Sequence, residues 1–359
     1  MRKSVSEYPV TLSAEKPMKM ALILGPALIC LEFCALAEAQ TKGKGKPYIE
    51  PPAVHCLALS PDGKALALAE RAGNIRLWSV ADRKNVRAFP IGLINTRTGS
   101  YISTLAFSPD GKTLAVAGSG RLELWDVDTG KLCMPFKHQV KTVVARLVLG
   151  DDGAFRKVEE AVDRPDDVSS VTFSADGKTL ISSGKENVIK LWDPATGKER
   201  AKLAGHATEA THLALSGDGK VLASGTFHGE IKVWDLATQK EIASFANGRS
   251  VYGLAISADG AKVLSSSGPD ANLWDVAKQT ALGKFTGARG NVGRVAFSPD
   301  GKLVVAQGIE FVVWDANTFA KLASFEHSPS FSIAITADSK TLLSCDQKGN
   351  VKAHEMPKR

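Results

Sequence analysis

Cysteine is scarce, with five in 359 residues, and that excludes a small fold stapled by a disulfide framework. Long apolar runs are missing too. Residues 20–31, MALILGPALICL, are broken by Pro26 and followed by Glu32, leaving less than the ~20 residues a membrane-spanning helix needs. There is no HExxH, and no short-spaced histidine pair beyond His206 and His212, so the three or four converging ligands of a zinc site are not in view. GKT at 111–113 and 177–179 has Ala106 and Thr172 where a phosphate-binding loop needs its upstream glycine, and both stretches read as β-turns. Asp151-Asp152 and Asp166-Asp167 come without the spaced oxygen ligands of a cation loop. Aromatics are 7% of the chain and form no platform for stacked bases. The sequence therefore assigns no catalytic residue, cofactor or metal ligand.

What is present is an ordinary globular composition, 44% apolar and 23% charged, which supplies a core and excludes wholesale disorder. Thirty-two glycines indicate many turns. The formal charge is +7, but the lysines stand beside aspartates in turns, giving a mixed-charge surface rather than a nucleic-acid groove.

Lys16 and Lys19, the short apolar run, and Ala37-Glu38-Ala39 before Gln40 match a secretory signal peptide with an A-x-A cleavage site. Residues 1–39 are read as that signal, with Met18 or Met20 as alternative starts. A retained anchor is the competing reading, and it would bring a membrane into play. Residues 40–45 read as a basic, glycine-rich linker. These features predict an exported protein, periplasmic or extracellular.

From residue 46 onward one phrase recurs seven times: LALSPDGK (57–64), LAFSPDGK (105–112), VTFSADGK (171–178), LALSGDGK (213–220), LAISADGA (254–261), VAFSPDGK (295–302) and IAITADSK (333–340). About fifteen residues after each acidic turn comes an apolar segment that ends at Trp78, Trp125, Trp192, Trp234, Trp274 or Trp314, with His354 in the seventh place. Each unit reads as four strands: an alternating strand, an Asp-Gly turn, a second apolar run, the Trp strand and a last outer segment. One four-stranded sheet cannot bury both faces alone, whereas seven stacked around an axis bury them against each other. The six tryptophans are read as core.

These repeats resemble the WD40 family, with the Trp-Asp pair intact at 125–126, 192–193, 234–235, 274–275 and 314–315. The resemblance implies an all-β fold, a seven-bladed WD40-like propeller with four-stranded antiparallel blades over residues 46–359. It departs from the family in two respects. Only Gly205-His206 keeps the Gly-His dipeptide. The position six residues before the Trp, where the family places a structural aspartate, holds Ala72, Ser119, Glu186, His228, Gly268 and Gly308. The family's His–Ser–Asp–Trp network is thus expected to be incomplete in every blade, with rigidity coming from apolar packing.

The seventh repeat stops before a fourth strand, and the segment around Lys46–Glu50 is the candidate that closes the ring. Between repeats two and three the spacing from Asp110 to Asp176 is too long for one unit. The surplus, about 139–166, reads as a β-hairpin insertion or the remnant of a repeat. Cys56, Cys133 and Cys345 are expected as buried free thiols, a Cys56–Cys345 bridge being the alternative.

The resemblance also implies a top face, made where the chain leads into the first strand of each blade. Alternate residues there point the same way, which gives the pairs Ala53/His55, Tyr101/Ser103, Asp167/Ser169, Glu209/Thr211, Ser250/Tyr252, Asn291/Gly293 and Pro329/Phe331. The candidate contacts among them are His55, Tyr101, Asp167, Glu209, Tyr252, Asn291 and Phe331. The aromatics either anchor a partner or plug the channel mouth. The expected function is a non-enzymatic scaffold, a monomer presenting its top face to a protein or peptide and not to nucleic acid. The alternative is a propeller-based periplasmic hydrolase or lactonase-like enzyme working at the channel mouth. For that His55, Asp167 and Glu209 are too few and too mixed.

Overall fold

The computed structural model describes residues 54–70, 73–91, 101–149, 155–326, 330–346 and 348–358. Residues 1–53, which hold the expected signal peptide, linker and closing strand, lie outside the described residues. A compact unit spans Ile49–Arg359, and its described residues form strands and no helix.

Blade 1 is β1 (Val54–Leu59), β2 (Ala65–Glu70), β3 (Asn74–Ser79) and β4 (Lys84–Pro90). Blade 2 is β5 (Ile102–Phe107), β6 (Thr113–Gly118), β7 (Arg121–Asp126) and β8 (Leu132–Pro135). After these comes a separate hairpin of β9 (Gln139–Leu149) and β10 (Phe155–Pro165). Blade 3 is β11 (Val168–Phe173), β12 (Leu180–Gly184), β13 (Val188–Trp192) and β14 (Glu199–Ala204). Blade 4 is β15 (Ala210–Leu215), β16 (Val221–Thr226), β17 (Glu230–Asp235) and β18 (Lys240–Ala246). Blade 5 is β19 (Leu254–Ile256), β20 (Lys262–Ser267), β21 (Asp270–Asp275) and β22 (Thr280–Phe285). Blade 6 is β23 (Val295–Phe297), β24 (Leu303–Gln307), β25 (Glu310–Asp315) and β26 (Lys321–Glu326). Blade 7 is β27 (Ser330–Ile335), β28 (Thr341–Asp346) and β29 (Val351–Glu355), three strands among the described residues. Every blade is an antiparallel meander in chain order.

The Asp-Gly phrase forms each first turn by the same chemistry. Ser60 Oγ donates to Asp62 (2.6 Å) and accepts the Ala65 N–H (2.9 Å), while Asp62 accepts the Lys64 N–H (3.0 Å). Gly63 takes φ +70°, a conformation that glycine adopts without a Cβ penalty. The same Ser/Thr–Asp bond recurs at Asp110, Asp176, Asp218, Asp259, Asp300 and Asp338. In each case it holds the carboxyl below its ordinary range.

The core is seven apolar clusters, one at each junction between blades. The first joins Ile75 and Phe89 of blade 1 to Leu114 and Trp125 of blade 2. The last joins Leu66 and Trp78 of blade 1 to Cys345 of blade 7. That junction is also bridged by Arg76, which donates to the Gly349 carbonyl at 3.0 Å. At most junctions an aromatic at the end of one blade meets the tryptophan of the next: Phe89 with Trp125 (6.0 Å), Phe136 with Trp192 (5.7 Å), Phe245 with Trp274 (5.1 Å) and Phe285 with Trp314 (5.8 Å). His354 takes the tryptophan's place between Phe311 and Phe325, 5.5 Å from each ring.

The polar network is better developed than the missing aspartates suggest. In blade 4, Trp234 Nε1 donates to Ser224 Oγ (2.8 Å), which lies 2.6 Å from His206 Nε2. His206 Nδ1 is 2.8 Å from Glu230. Glu230, on β17, supplies the carboxylate that position 228 does not, so this network is complete. Blade 5 closes with an amide: Ser265 Oγ accepts from Trp274 and donates to Asn247 Oδ1 (2.8 and 2.7 Å), which also accepts from Asn272 (3.0 Å). In blade 3, Trp192 donates to Ser182 (2.8 Å), and the His138 ring tilts on Trp192 at 5.5 Å.

The described cysteines are free thiols, with Cys56 and Cys345 buried and Cys133 exposed. The exposure of Cys133 corrects the expectation of burial and follows from its place on the outer strand β8. Burial pushes the Cys345 thiol up to about 12.

Candidate protein-binding face

The top face is made by the loops that lead into each first strand and by the turns joining second and third strands. In blade 3 this region is built around the hairpin. β9 and β10 pair without a register break from Gln139↔Pro165 to Leu149↔Phe155. The base of the hairpin is clamped: Asp166 N–H donates to the His138 carbonyl (2.9 Å), and the buried Lys190 donates to the Gln139 carbonyl (2.9 Å) while pairing with Glu186 (2.7 Å). His138 Nδ1 lies 3.2 Å from Asp166 Oδ2, both side chains inaccessible. Gly184 makes room for them, since a Cβ there would stand 2.6 Å from Asp166 Oδ2 and 3.1 Å from His138 Cε1. The insertion thus splits a histidine from the strand it serves, which is why the sequence reading did not connect His138 to Trp192.

Asp167 is half-buried and bonded. It pairs with Lys185 at 2.7 Å and accepts the Gly120 N–H at 3.1 Å, stitching blade 2 to blade 3. That bond raises the Lys185 ammonium above its ordinary value against the effect of burial. Glu209, also half-buried, has its carboxyl pushed up by burial, with Asp166 and Asp167 adding to the effect and Lys185 and His228 opposing it.

Tyr101 is half-buried, and its carbonyl accepts the Ser119 N–H at 3.0 Å. The half-buried Tyr252 stands edge-on to Phe227 with centroids 5.2 Å apart, and Phe227 in turn meets the exposed His228 at 6.5 Å. Sequence reasoning passed over Phe227-His228. The available signal was a Phe-His pair in a second-to-third-strand turn, where no other repeat carries an aromatic. Asn291 is exposed. His55 lies on β1 and Phe331 on β27, and their side chains lie outside what is described. β19 and β23 begin only at Leu254 and Val295, so Tyr252 and Asn291 sit on loops and not on strands. Backbone packs on backbone there: a Cβ on Gly253 would run into the Gly293 carbonyl.

The first strands enclose a channel of about 190 Å³ whose wall includes Ser169, Ser170, Thr211, His212, Arg294 and Ser332. Burial deep in the ring, then the charge of Arg294, push His212 down to about 3. Part of its surface faces the channel, where water tempers that depression. Among the described residues no group of three or more His, Cys, Asp or Glu is placed to hold a metal ion. No helix among them is long and apolar enough to cross a membrane.

Three stretches, 91–126, 162–193 and 197–235, match the family described as "WD domain, G-beta repeat". The chain therefore carries WD40 repeats at three positions within a propeller of seven blades. Among curated proteins it is similar to small ribosomal subunit protein RACK1 of Medicago sativa and of Glycine max, each 27% identical over 139 residues. It is also similar to the protein of that name from Candida albicans, 25% identical over 143 residues. The matches cover 39–40% of this chain and 38% of each relative. They correct the expectation of export. The relatives carry the name of a ribosomal subunit protein, whose place is the cytosol and not the periplasm or the extracellular space.

Proposed function

We propose that the protein is a non-enzymatic interaction scaffold that presents its top face to a protein or peptide partner. The observation that carries this reading is the Tyr252–Phe227 pair, two half-buried aromatics meeting edge-on at the top of blades 4 and 5. Propeller stability comes from the seven junction clusters, so an aromatic pair at the mouth serves the fold little. Half-exposed aromatics are the usual anchors of protein interfaces. The WD40 repeats support the same reading. His55, Tyr101, Asp167, Glu209, Asn291 and Phe331 are proposed as the surrounding contact positions. In that arrangement Asp167 orders the face through Lys185 and Gly120.

Affinity capture from cell extract tests the reading. Tyr101→Ala with Tyr252→Ala is expected to weaken capture about thirtyfold, the effect of losing ~2 kcal/mol at a hot spot, with an unchanged melting temperature. Lys178→Ala with Lys302→Ala, on the opposite rim, is expected to leave capture intact. The reverse pattern places the partner on the turn rim, and unfolding of the tyrosine variant assigns those rings to plugging the mouth.

A further inference from the structure

The top face divides by charge. Blades 3 and 4 bring Asp167, Glu186 and Glu209 to it, the first two paired with Lys185 and Lys190, above the buried Asp166. Blades 5 and 6 bring Arg249, Arg289 and Arg294, all exposed, against the half-buried Asp270 of the blade 5 turn. The ion pairs of these two blades among the described residues are Lys278–Asp275 and Lys321–Glu310, and they leave the three arginines out.

The arginines belong to one patch. The Arg249 guanidinium lies over Gly268, 3.2 Å from where a Cβ would stand. The Gly268 carbonyl accepts the Val292 N–H at 2.6 Å, which joins that turn to the loop leading into blade 6. Arg289 begins the same loop, and its carbonyl accepts the Ile309 N–H at 3.4 Å. Arg294 ends it and is the one Lys, Arg, Asp or Glu among the described residues of the channel wall.

We propose that this half of the top face is a receptor for the side-chain carboxylates of an acidic peptide segment, one of which enters the channel mouth at Arg294. The inference rests on the top-face reading above and adds the chemistry of the partner. A guanidinium presents a planar fork that matches a carboxylate through two parallel N–H bonds, and three such forks outside the ion pairs of the described residues leave their charge for a ligand. The mouth has room for this. Gly253 and Gly293 contribute no side chain there, and a channel of about 190 Å³ takes a carboxylate-tipped side chain but falls below the size of an ordinary small-molecule pocket. The Phe227–Tyr252 pair, next to the patch in blades 4 and 5, supplies an apolar anchor. A nucleic acid fits less well. Its regular phosphates would meet the carboxylates of blades 3 and 4, whereas a peptide can place acidic residues over one half and neutral or basic ones over the other.

The test is fluorescence anisotropy on the full chain with three labelled probes: a peptide alternating glutamate and serine, the same peptide with glutamine for glutamate, and a single-stranded oligouridylate of equal length. The glutamate peptide is expected to bind, and added salt to weaken it. Arg249→Gln with Arg294→Gln is expected to lower its affinity about tenfold or more without moving the melting temperature. Arg294→Lys should recover only part of the affinity, because the ammonium keeps the charge but loses the fork. Equal binding of the glutamine peptide, tighter binding of the oligouridylate, or indifference to the arginine substitutions each overturns the proposal. If the tyrosine pair abolishes partner capture while the glutamate peptide fails to bind, the scaffold reading stands and the carboxylate receptor falls.

Discussion

Five of the six tryptophan N–H groups find their partner according to one residue on the neighbouring strand. Trp192, Trp234 and Trp274 stand opposite Leu180, Leu222 and Val263, and two residues further along lie Ser182, Ser224 and Ser265, which accept their bonds. At the same register blades 2 and 6 carry Val116 and Ala306. There Trp125 turns to Glu123 (3.0 Å) and Trp314 to the Thr286 carbonyl (2.9 Å). The serine in blade 4 meets Trp234, His206 and the Lys232 carbonyl, so Ser224→Ala leaves both Trp234 Nε1 and His206 Nε2 without it. Urea denaturation is expected to show a loss of about 2 kcal/mol, the cost of stranding buried polar groups; a neutral result would contradict the network. The propeller and its tryptophans were legible from the repeat itself. This network was not, because Glu230 and Asn247 stand at positions the family pattern leaves to other residues.

Titration of single residues gives the next expectation. Burial lowers His206 from its ordinary 6.5, against the pull of Glu230, and pushes His212 down to about 3. A histidine whose folded pKa is depressed contributes fully above its unfolded value, and the contribution is lost as pH falls through the folded one. Thermal stability is therefore expected to decline between pH 6.5 and 3, and His212→Gln to flatten that decline; an unchanged profile in the variant would rule His212 out. The seven turn aspartates act lower on the scale. Their folded pKa values lie below the ordinary 3.8, so their contribution is present above that pH and lost beneath it.

Among whole elements the informative one is β29. Its residues are half-buried or exposed, whereas its counterparts β17 and β25, each covered by an outer strand, are mostly buried. An uncovered strand edge invites pairing. The expectation that the segment around Lys46–Glu50 closes the ring falls outside the described residues; if it holds, deleting residues 40–52 lowers the melting temperature. An unchanged melting temperature would mean that blade 7 is complete without them. The hairpin was legible as a surplus of chain with a Gly-Asp-Asp-Gly turn. Its clamp was not, since Lys190, Glu186 and Gln139 converge only once β13 lies under the insertion.

For the whole molecule, the ring sets two rims against each other. One carries seven turns in which every aspartate is bonded within its own repeat, so its charge is locally satisfied and its shape fixed by turn geometry. The other carries aromatics and arginines that neither the turns nor the junction clusters require. Which half of the top face holds unpaired charge was not legible in the sequence: Asp167 and Arg294 look equally free as letters, and only the fold gives Asp167 its Lys185 and leaves Arg294 outside the ion pairs of the described residues. The central claim is that partners are taken by the top face. Hydrogen–deuterium exchange on the captured complex tests it most directly. The account predicts new protection in the loops around Tyr101, Glu209, Tyr252 and Asn291, with the Asp-Gly turns exchanging as in the free protein. Protection at Asp62, Asp110 and their counterparts, with the top loops unchanged, would contradict it.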